Sequence, residues 1–314
     1  MTTILGITFP IFAAMVIGYF IVYKGWFLAA DMRVMGKYVM NIAMPALLFN
    51  AVASRDVGDV FHSHYMLVYL LGGLAIIAIS WLWFSWIGID NARRAIAVMG
   101  STCANSGFVG YPVMLLTFPD IAGLILALNM LVENIILIPI CLILMDMTKE
   151  GETLSIRRTI VKTFWGVIRR PMVIGLLLGL AASLLSLPVP DAMSRLFTML
   201  AASAAALSLV VVGGSLVGLK LIGNRARALQ VAFGKLFVHP AMMILAAISV
   251  PLLGFEMLSP DMYAAAILSA AMPMFGIYTV LAQELGLEGP ASIAMLAATS
   301  LSFVTLTGFL FWLT

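Results

Sequence analysis

Glu133 interrupts an apolar run four residues after Asn129 and directly before Asn134. Asn129 and Glu133, being four apart, share one face of a helix. A carboxyl group inside a membrane-spanning segment is costly, and its default reading is functional. Three roles suit it: carrying a coupling proton, helping to hold a cation such as Na+, or staying protonated as a structural group. Lys235 and His239 form a second polar pair at the same spacing. Lys235 lies about two turns from one end of its apolar segment, so its amine can snorkel to the surface. His239 precedes Pro240 and suits either a hydrogen-bonded structural role or a contact to a proton or substrate. His62 and His64 lie in a loop without the further ligands a metal site needs.

Two other stretches exchange apolar residues for small, polar and helix-breaking ones. The first is Gly100-Ser-Thr-Cys-Ala-Asn105-Ser-Gly107-Phe-Val-Gly110-Tyr-Pro112 and the second Ser269-Ala-Ala-Met-Pro273-Met-Phe-Gly276-Ile-Tyr278-Thr279. In lipid an unpaired backbone group costs several kcal/mol, so a broken helix persists only where protein or a cavity covers it. Broken segments at corresponding positions of two halves point to a transporter binding site. The first stretch is expected to run helix, unwound segment, helix, the second helix starting near Tyr111-Pro112, since proline at a helix start loses no needed N–H. Its amides and dipole would favour an anion, and the Asn105 side chain can donate two hydrogen bonds. The substrate-binding candidates are therefore Asn105, Ser106, Gly107, Gly110 and Tyr111 on one side and Pro273, Gly276, Tyr278 and Thr279 on the other. The ion-coupling candidates are Glu133, Asn134, Asn129, Lys235 and His239. The bland alternative is a glycine-rich packing face with proline kinks.

The elements that must carry these residues follow from composition. The chain has 314 residues, 63% hydrophobic and only 10% charged, with a mean hydropathy of +1.12. Soluble domains carry roughly 25% charged residues, so lipid is the main solvent. The length suits about ten spans of roughly 20 residues, numbered here as segments one to ten: 3–23, 33–53, 64–87, 93–116, 120–146, 170–187, 192–218, 228–252, 262–284 and 290–312. The expected architecture is a single all-α, polytopic membrane domain over 1–314. It divides into a first five-helix repeat (1–146), a cytoplasmic linker (147–169) and a second repeat (170–314). Of the 17 basic residues, all but Arg55 and Arg195 fall on the side of the loops after segments one, three, five and seven, with their adjoining helix ends. The positive-inside rule makes that side cytoplasmic and puts both termini outside. With five spans per half, equivalent halves are inverted, as in many secondary transporters. Segment one lacks the basic start of a cleaved signal peptide and is too long for one. Cys103 and Cys141 read as buried core thiols.

Several classes are excluded. No GxxxxGK[ST] loop, HExxH helix or GxSxG elbow occurs, so ATP hydrolysis, zinc-protease and hydrolase chemistry have no seat. No cofactor is implied, and the net charge of +3 needs no nucleic-acid partner. Interrupted helices suit alternating access better than a channel's continuous pore.

The motifs resemble those of the auxin efflux carrier family. Asn41-Ile-Ala-Met-Pro45-Ala-Leu-Leu-Phe is similar to the family's Asn-x-x-x-Pro-x-Leu segment. Asn105-Ser-Gly107-Phe-Val-Gly110-Tyr-Pro112 is similar to its Asn-x-Gly-Phe-x-Gly-x-Pro signature, the most specific match. Ala271-Met-Pro273 and Leu281-Ala-Gln283 resemble its second crossover. Ile277 stands where many members carry Asn, and Met274-Phe-Gly-Ile-Tyr278 is more similar to malonate- and malate-type permeases. The resemblance implies a bile-acid-symporter-like fold in which broken helices four and nine cross. It also implies transport of small mono- or dicarboxylates across a bacterial inner membrane, and often a homodimer. The partners expected are a small organic anion, the lipid bilayer and H+ or Na+ as coupling ion. The alternative is a broad-specificity exporter of hydrophobic, auxin-like weak acids.

Overall fold

A computed structural model describes residues 2–53, 55, 62–148 and 165–313. The linker expected over 147–169 falls largely on 149–164, outside the described residues. Among the described residues the fold is helical throughout, with no strand and one isolated antiparallel bridge. Six helices among the described residues are long and apolar enough to cross a membrane: Ile4–Tyr23, Ser63–Trp86, Ala122–Asp146, Asp191–Ser215, Arg225–Leu252 and Glu288–Leu313. Ser106–Thr117 and Pro171–Leu184 are shorter apolar helices.

Proline shapes four of the segments in one way. A π-turn ends two residues before Pro45, Pro112, Pro139 and Pro240, over Val39–Ala43, Ser106–Gly110, Glu133–Leu137 and Gly234–Val238. Proline has no N–H to donate, and its ring collides with the carbonyl four residues back. The turn before it widens in response. In three cases the residue preceding the proline donates five residues back: Met44 to Val39, Ile138 to Glu133 and His239 to Gly234. Such turns let an apolar helix absorb a proline while keeping its main chain hydrogen-bonded.

The chain folds into two compact units, each drawing on both halves of the sequence. The first comprises Met1–Ser63, Ser106–Leu128 and Gly166–Gly218. Its helices meet through small residues. Gly18 lies on the Val210 backbone and Gly213 on the Met15 backbone, so a Cβ on either would overlap main-chain atoms. Such close approach is how helices associate where lipid removes the hydrophobic drive. Gly175 seats Pro45 in the same way.

The second unit comprises His64–Asn105, Asn129–Trp165 and Leu219–Thr314. It holds segments three, eight, nine and ten, the first part of segment four and the second part of segment five. Helix Asn91–Thr102 starts at Asp90, whose carboxylate accepts the Arg93 N–H at 3.0 Å. Helix Pro260–Ala271 starts at Ser259, whose hydroxyl accepts the Met262 N–H at 3.4 Å. Both caps fill the role of N-terminal acceptors for unpaired amides. Both helices then end inside the unit, which sets up the site.

Candidate functional site

Helix Pro260–Ala271 stops because Met272 precedes Pro273. The proline ring disfavours helical angles in the residue before it, and Met272 is extended at φ −63°, ψ 149°. Helix Asn91–Thr102 stops at Cys103, also extended at φ −73°, ψ 111°. The two extended ends pair with each other. Ala104 and Met274 form an antiparallel bridge, the Asn105 N–H donates to the Pro273 carbonyl at 2.9 Å, and the Phe275 N–H donates to the Cys103 carbonyl at 3.2 Å. Backbone groups exposed by one break are thus satisfied by the other, as a water-poor interior requires.

The unwound part of segment four is shorter than its glycines suggest. It covers Cys103–Asn105; the chain coils again from Ser106 as a π-turn and continues as Tyr111–Thr117 with Pro112 in its first turn. Gly107 and Gly110 therefore sit in helical backbone, and neither has the positive φ that demands glycine. The expectation that the unwound segment reaches to Tyr111-Pro112 is overturned, because the chain is coiled again from Ser106. Ser106, Gly107, Gly110 and Tyr111 belong to the first unit, where a Cβ on Gly107 would meet only the Met44 and Met172 methyls at 3.7 and 3.9 Å. In the second unit Asn105 and Pro273 are buried, Gly276 borders open space, and Thr279 is half-buried. Tyr278 is buried against Gly100, where a Cβ would strike its ring and hydroxyl.

Behind the crossover lies a buried polar cluster. Segments three and five present matching pairs four residues apart. The Tyr65 hydroxyl donates to Asn129 Oδ1 at 2.8 Å, and the Tyr69 hydroxyl donates to Glu133 Oε1 at 2.6 Å. Asn129 passes the chain on, its Nδ2 donating to Ser269 Oγ at 2.8 Å. Asn134 instead donates back to the Met130 carbonyl of its own helix at 2.9 Å.

Lys235 is fully buried. The snorkelling expected of its amine is overturned: Nζ donates to the Ala270 carbonyl at 2.8 Å and lies 2.8 Å from His239 Nδ1. Ala270 lies in the last turn of the helix broken at Pro273, where carbonyls lack intrahelical donors. A cation there satisfies one of them and complements the negative end of the helix dipole. An ammonium donating to Nδ1 leaves His239 as the Nε2–H tautomer. That nitrogen is buried without a hydrogen-bond partner among the described residues, as are Ser101 Oγ and Thr102 Oγ1 at the end of the other broken helix. Cys103 and Cys141 are buried and free, as expected.

The structure thus joins Asn129 and Lys235 directly to the last turn of the helix broken at Pro273, His239 to it through Lys235, and Glu133 to Tyr69, whose ring stacks on Tyr65. Sequence reasoning missed Tyr65, Tyr69, Ser269 and Gly100. The 65/69 spacing on an apolar helix, mirroring 129/133, was an available signal.

Apolar membrane-spanning helices, two mutually satisfied helix breaks and a buried polar cluster beside them define a multi-pass membrane transporter. Comparison with known proteins agrees: the chain belongs to the membrane transport protein family, which matches residues 3–310 and is the auxin efflux carrier family its motifs resemble. It is 25% identical over 321 residues to a Rhizobium meliloti protein named "Putative malonate transporter", covering 99% of this chain and 96% of the relative. It is 22% identical over 312 residues to the "Uncharacterized transporter YfdV" of Escherichia coli, covering 97% and 95%. An "Uncharacterized transporter" of Methanothermobacter thermautotrophicus is 26% identical over 292 residues, with 92% of each chain covered.

Proposed function

We propose that this protein is a secondary active carrier of a small mono- or dicarboxylate, such as malonate or malate, in a bacterial cytoplasmic membrane. The observation that carries the reading is the crossover itself: two helices end and pair through Asn105–Pro273 and Phe275–Cys103 main-chain bonds. Discontinuous helices of this kind are where carriers hold substrates and coupling ions. In this reading the Asn105 amide, the Gly276 backbone and the Thr279 hydroxyl donate to the carboxylate. Oriented dipoles replace part of the anion's water without a fixed positive partner in contact, so the site can still release it. The relative named for malonate supports a dicarboxylate.

The topology proposed is ten spans in two inverted five-helix repeats, with both termini outside. Its supports are the one-sided distribution of basic residues and the composition of the units. Segments one, two, six and seven go to the first unit and three and eight to the second, as expected if one to three correspond to six to eight; four and five divide between the units, whereas nine and ten lie wholly in the second.

Glu133 is assigned the coupling role, as proton carrier or, with Asn129, as a Na+ ligand. Uptake of labelled malonate, malate and lactate into proteoliposomes, beside efflux of an aromatic acid, tests the reading. Gradient-driven accumulation of a small carboxylate is the expected result. Movement of the aromatic acid alone would replace it with the weak-acid exporter.

A further inference from the structure

A cavity of about 590 Å³ opens on the second unit between segments three, four and eight, its Ser101 wall two residues short of the break at Cys103. Ile76, Phe84, Leu229 and Phe233 give it apolar walls, and Ser101 and Gly234 lie at its deep end. Leu229, Phe233 and Trp83 at its edge are exposed, as lipid-facing side chains are. Water has no reason to fill such a groove; a hydrocarbon chain does.

The charge at its mouth specifies more than a chain. Arg94 precedes Ser101 by seven residues, which puts it on the same helix face roughly 10 Å nearer the polar end. Arg227 bears the same relation to Gly234, and its Nη1 donates to the cavity-lining Gln230 at 3.4 Å. Arg94 stacks on the Trp81 ring at 4.1 Å and donates from Nη1 to Ser85 Oγ at 2.9 Å and from Nη2 to Asn91 Oδ1, both neutral acceptors; its Nε is buried without a partner among the described residues. No ion pair joins Arg94 or Arg227 to a carboxylate among the described residues; Asp90 pairs with Arg93 and Glu288 with Lys220. Two guanidinium groups with no carboxylate partner among those residues, Arg94 and Arg227, therefore stand on the helices that wall the apolar groove. Basic pockets between membrane helices bind anionic headgroups.

We infer that this groove is a binding site for an anionic phospholipid, one acyl chain between segments three and eight and the phosphate at Arg94 and Arg227. The site is separate from the transport reading and stands whatever the substrate proves to be. Native mass spectrometry of the protein purified in a neutral detergent, titrated with phosphatidylglycerol and with phosphatidylcholine of matched chains, tests it. Each arginine near an anionic headgroup is worth about fivefold, so roughly a thirtyfold preference for phosphatidylglycerol is expected. Arg94→Gln with Arg227→Gln should erase most of that preference, and the paired Lys variants should keep it. Phosphatidylglycerol with brominated chains should quench Trp83 fluorescence, and Trp83→Phe should remove that part of the quenching. Equal binding of the two lipids would overturn the inference. So would a preference that survives both Gln substitutions, or quenching unaltered by Trp83→Phe. If the double variant does not fold, Arg227→Gln alone and the wild-type quenching decide.

Discussion

Glu133→Gln separates coupling from folding. Glutamine keeps the shape of the side chain and still offers an oxygen to the Tyr69 hydroxyl, which lies 2.6 Å from Glu133 Oε1. A hydrogen bond to a charged group contributes about 1.5–3 kcal/mol and one to a neutral group about 0.5–1.5, so the variant should lose at most about 1–2 kcal/mol of stability. Glu133→Ala would instead strand the tyrosine hydroxyl in a buried site, costing about 1–3 kcal/mol more. The functional loss should be larger and of another kind. A tenfold ion gradient is worth about 1.4 kcal/mol, which at one ion per substrate sustains up to tenfold accumulation. With the membrane potential clamped at zero, Glu133→Gln proteoliposomes should take substrate only to equal concentrations inside and out. Exchange of labelled for unlabelled substrate should persist, because binding and the conformational cycle remain. The wild-type should lose accumulation when the H+ or the Na+ gradient is removed, and that identifies the ion. Tenfold accumulation by the Gln variant would refute the assignment and return Glu133, with Tyr69, to a structural role.

Other consequences can be checked on the same preparations. Asn105→Ala should remove one hydrogen bond to a charged group and weaken substrate binding by about 1.5–3 kcal/mol, read by calorimetry on folded protein; unchanged affinity would move the substrate elsewhere. Gly107→Ala should be nearly neutral, since its Cβ meets only two methionine methyls at ordinary contact distance. Gly100→Ala, whose Cβ would press on Tyr278 and Val231, should cost about 1–3 kcal/mol by overpacking; thermal unfolding in detergent ranks the two. A cysteine at the exposed Ser186 should react with a membrane-impermeant maleimide from outside intact cells, and one at the exposed Asn91 only from inside.

The positions of the helices and of the proline break in segment nine were legible because both depend on local chemistry: apolar length, and the constraint proline places on Met272. The extent of the first break was not. Whether Gly107 and Gly110 unwind or coil depends on what covers their carbonyls, and the five residues after Asn105 are equally compatible with either. The burial of Lys235 was invisible for a similar reason. Two turns from a segment end, an amine can reach water, unless a carbonyl such as that of Ala270, 35 residues away, is waiting for it. The tyrosine partners of Asn129 and Glu133 lie 64 residues away in sequence, beyond any window of local pattern. Likewise, nothing in a linear pattern sorts segments from both halves into the same compact unit.

The four proline-linked π-turns bear on how this chain tolerates changes in length. Deleting one residue from an ordinary helix turns everything beyond it by about 100°, carrying lipid-facing side chains into the core. A π-turn already holds one residue more than the α-turn it replaces. Removing Ile135 or Ile136 from Glu133–Leu137 would let that turn close toward α geometry and keep the phase of the faces on either side, at the cost of pressing the Pro139 ring on the carbonyl four residues back. Single-residue deletions, ruinous elsewhere in these helices, thus have four places among the described residues where register absorbs them. One lies beside Glu133 and another spans Lys235, so the spacing between the polar cluster and the rest of each helix can drift by a residue without the fold being redrawn.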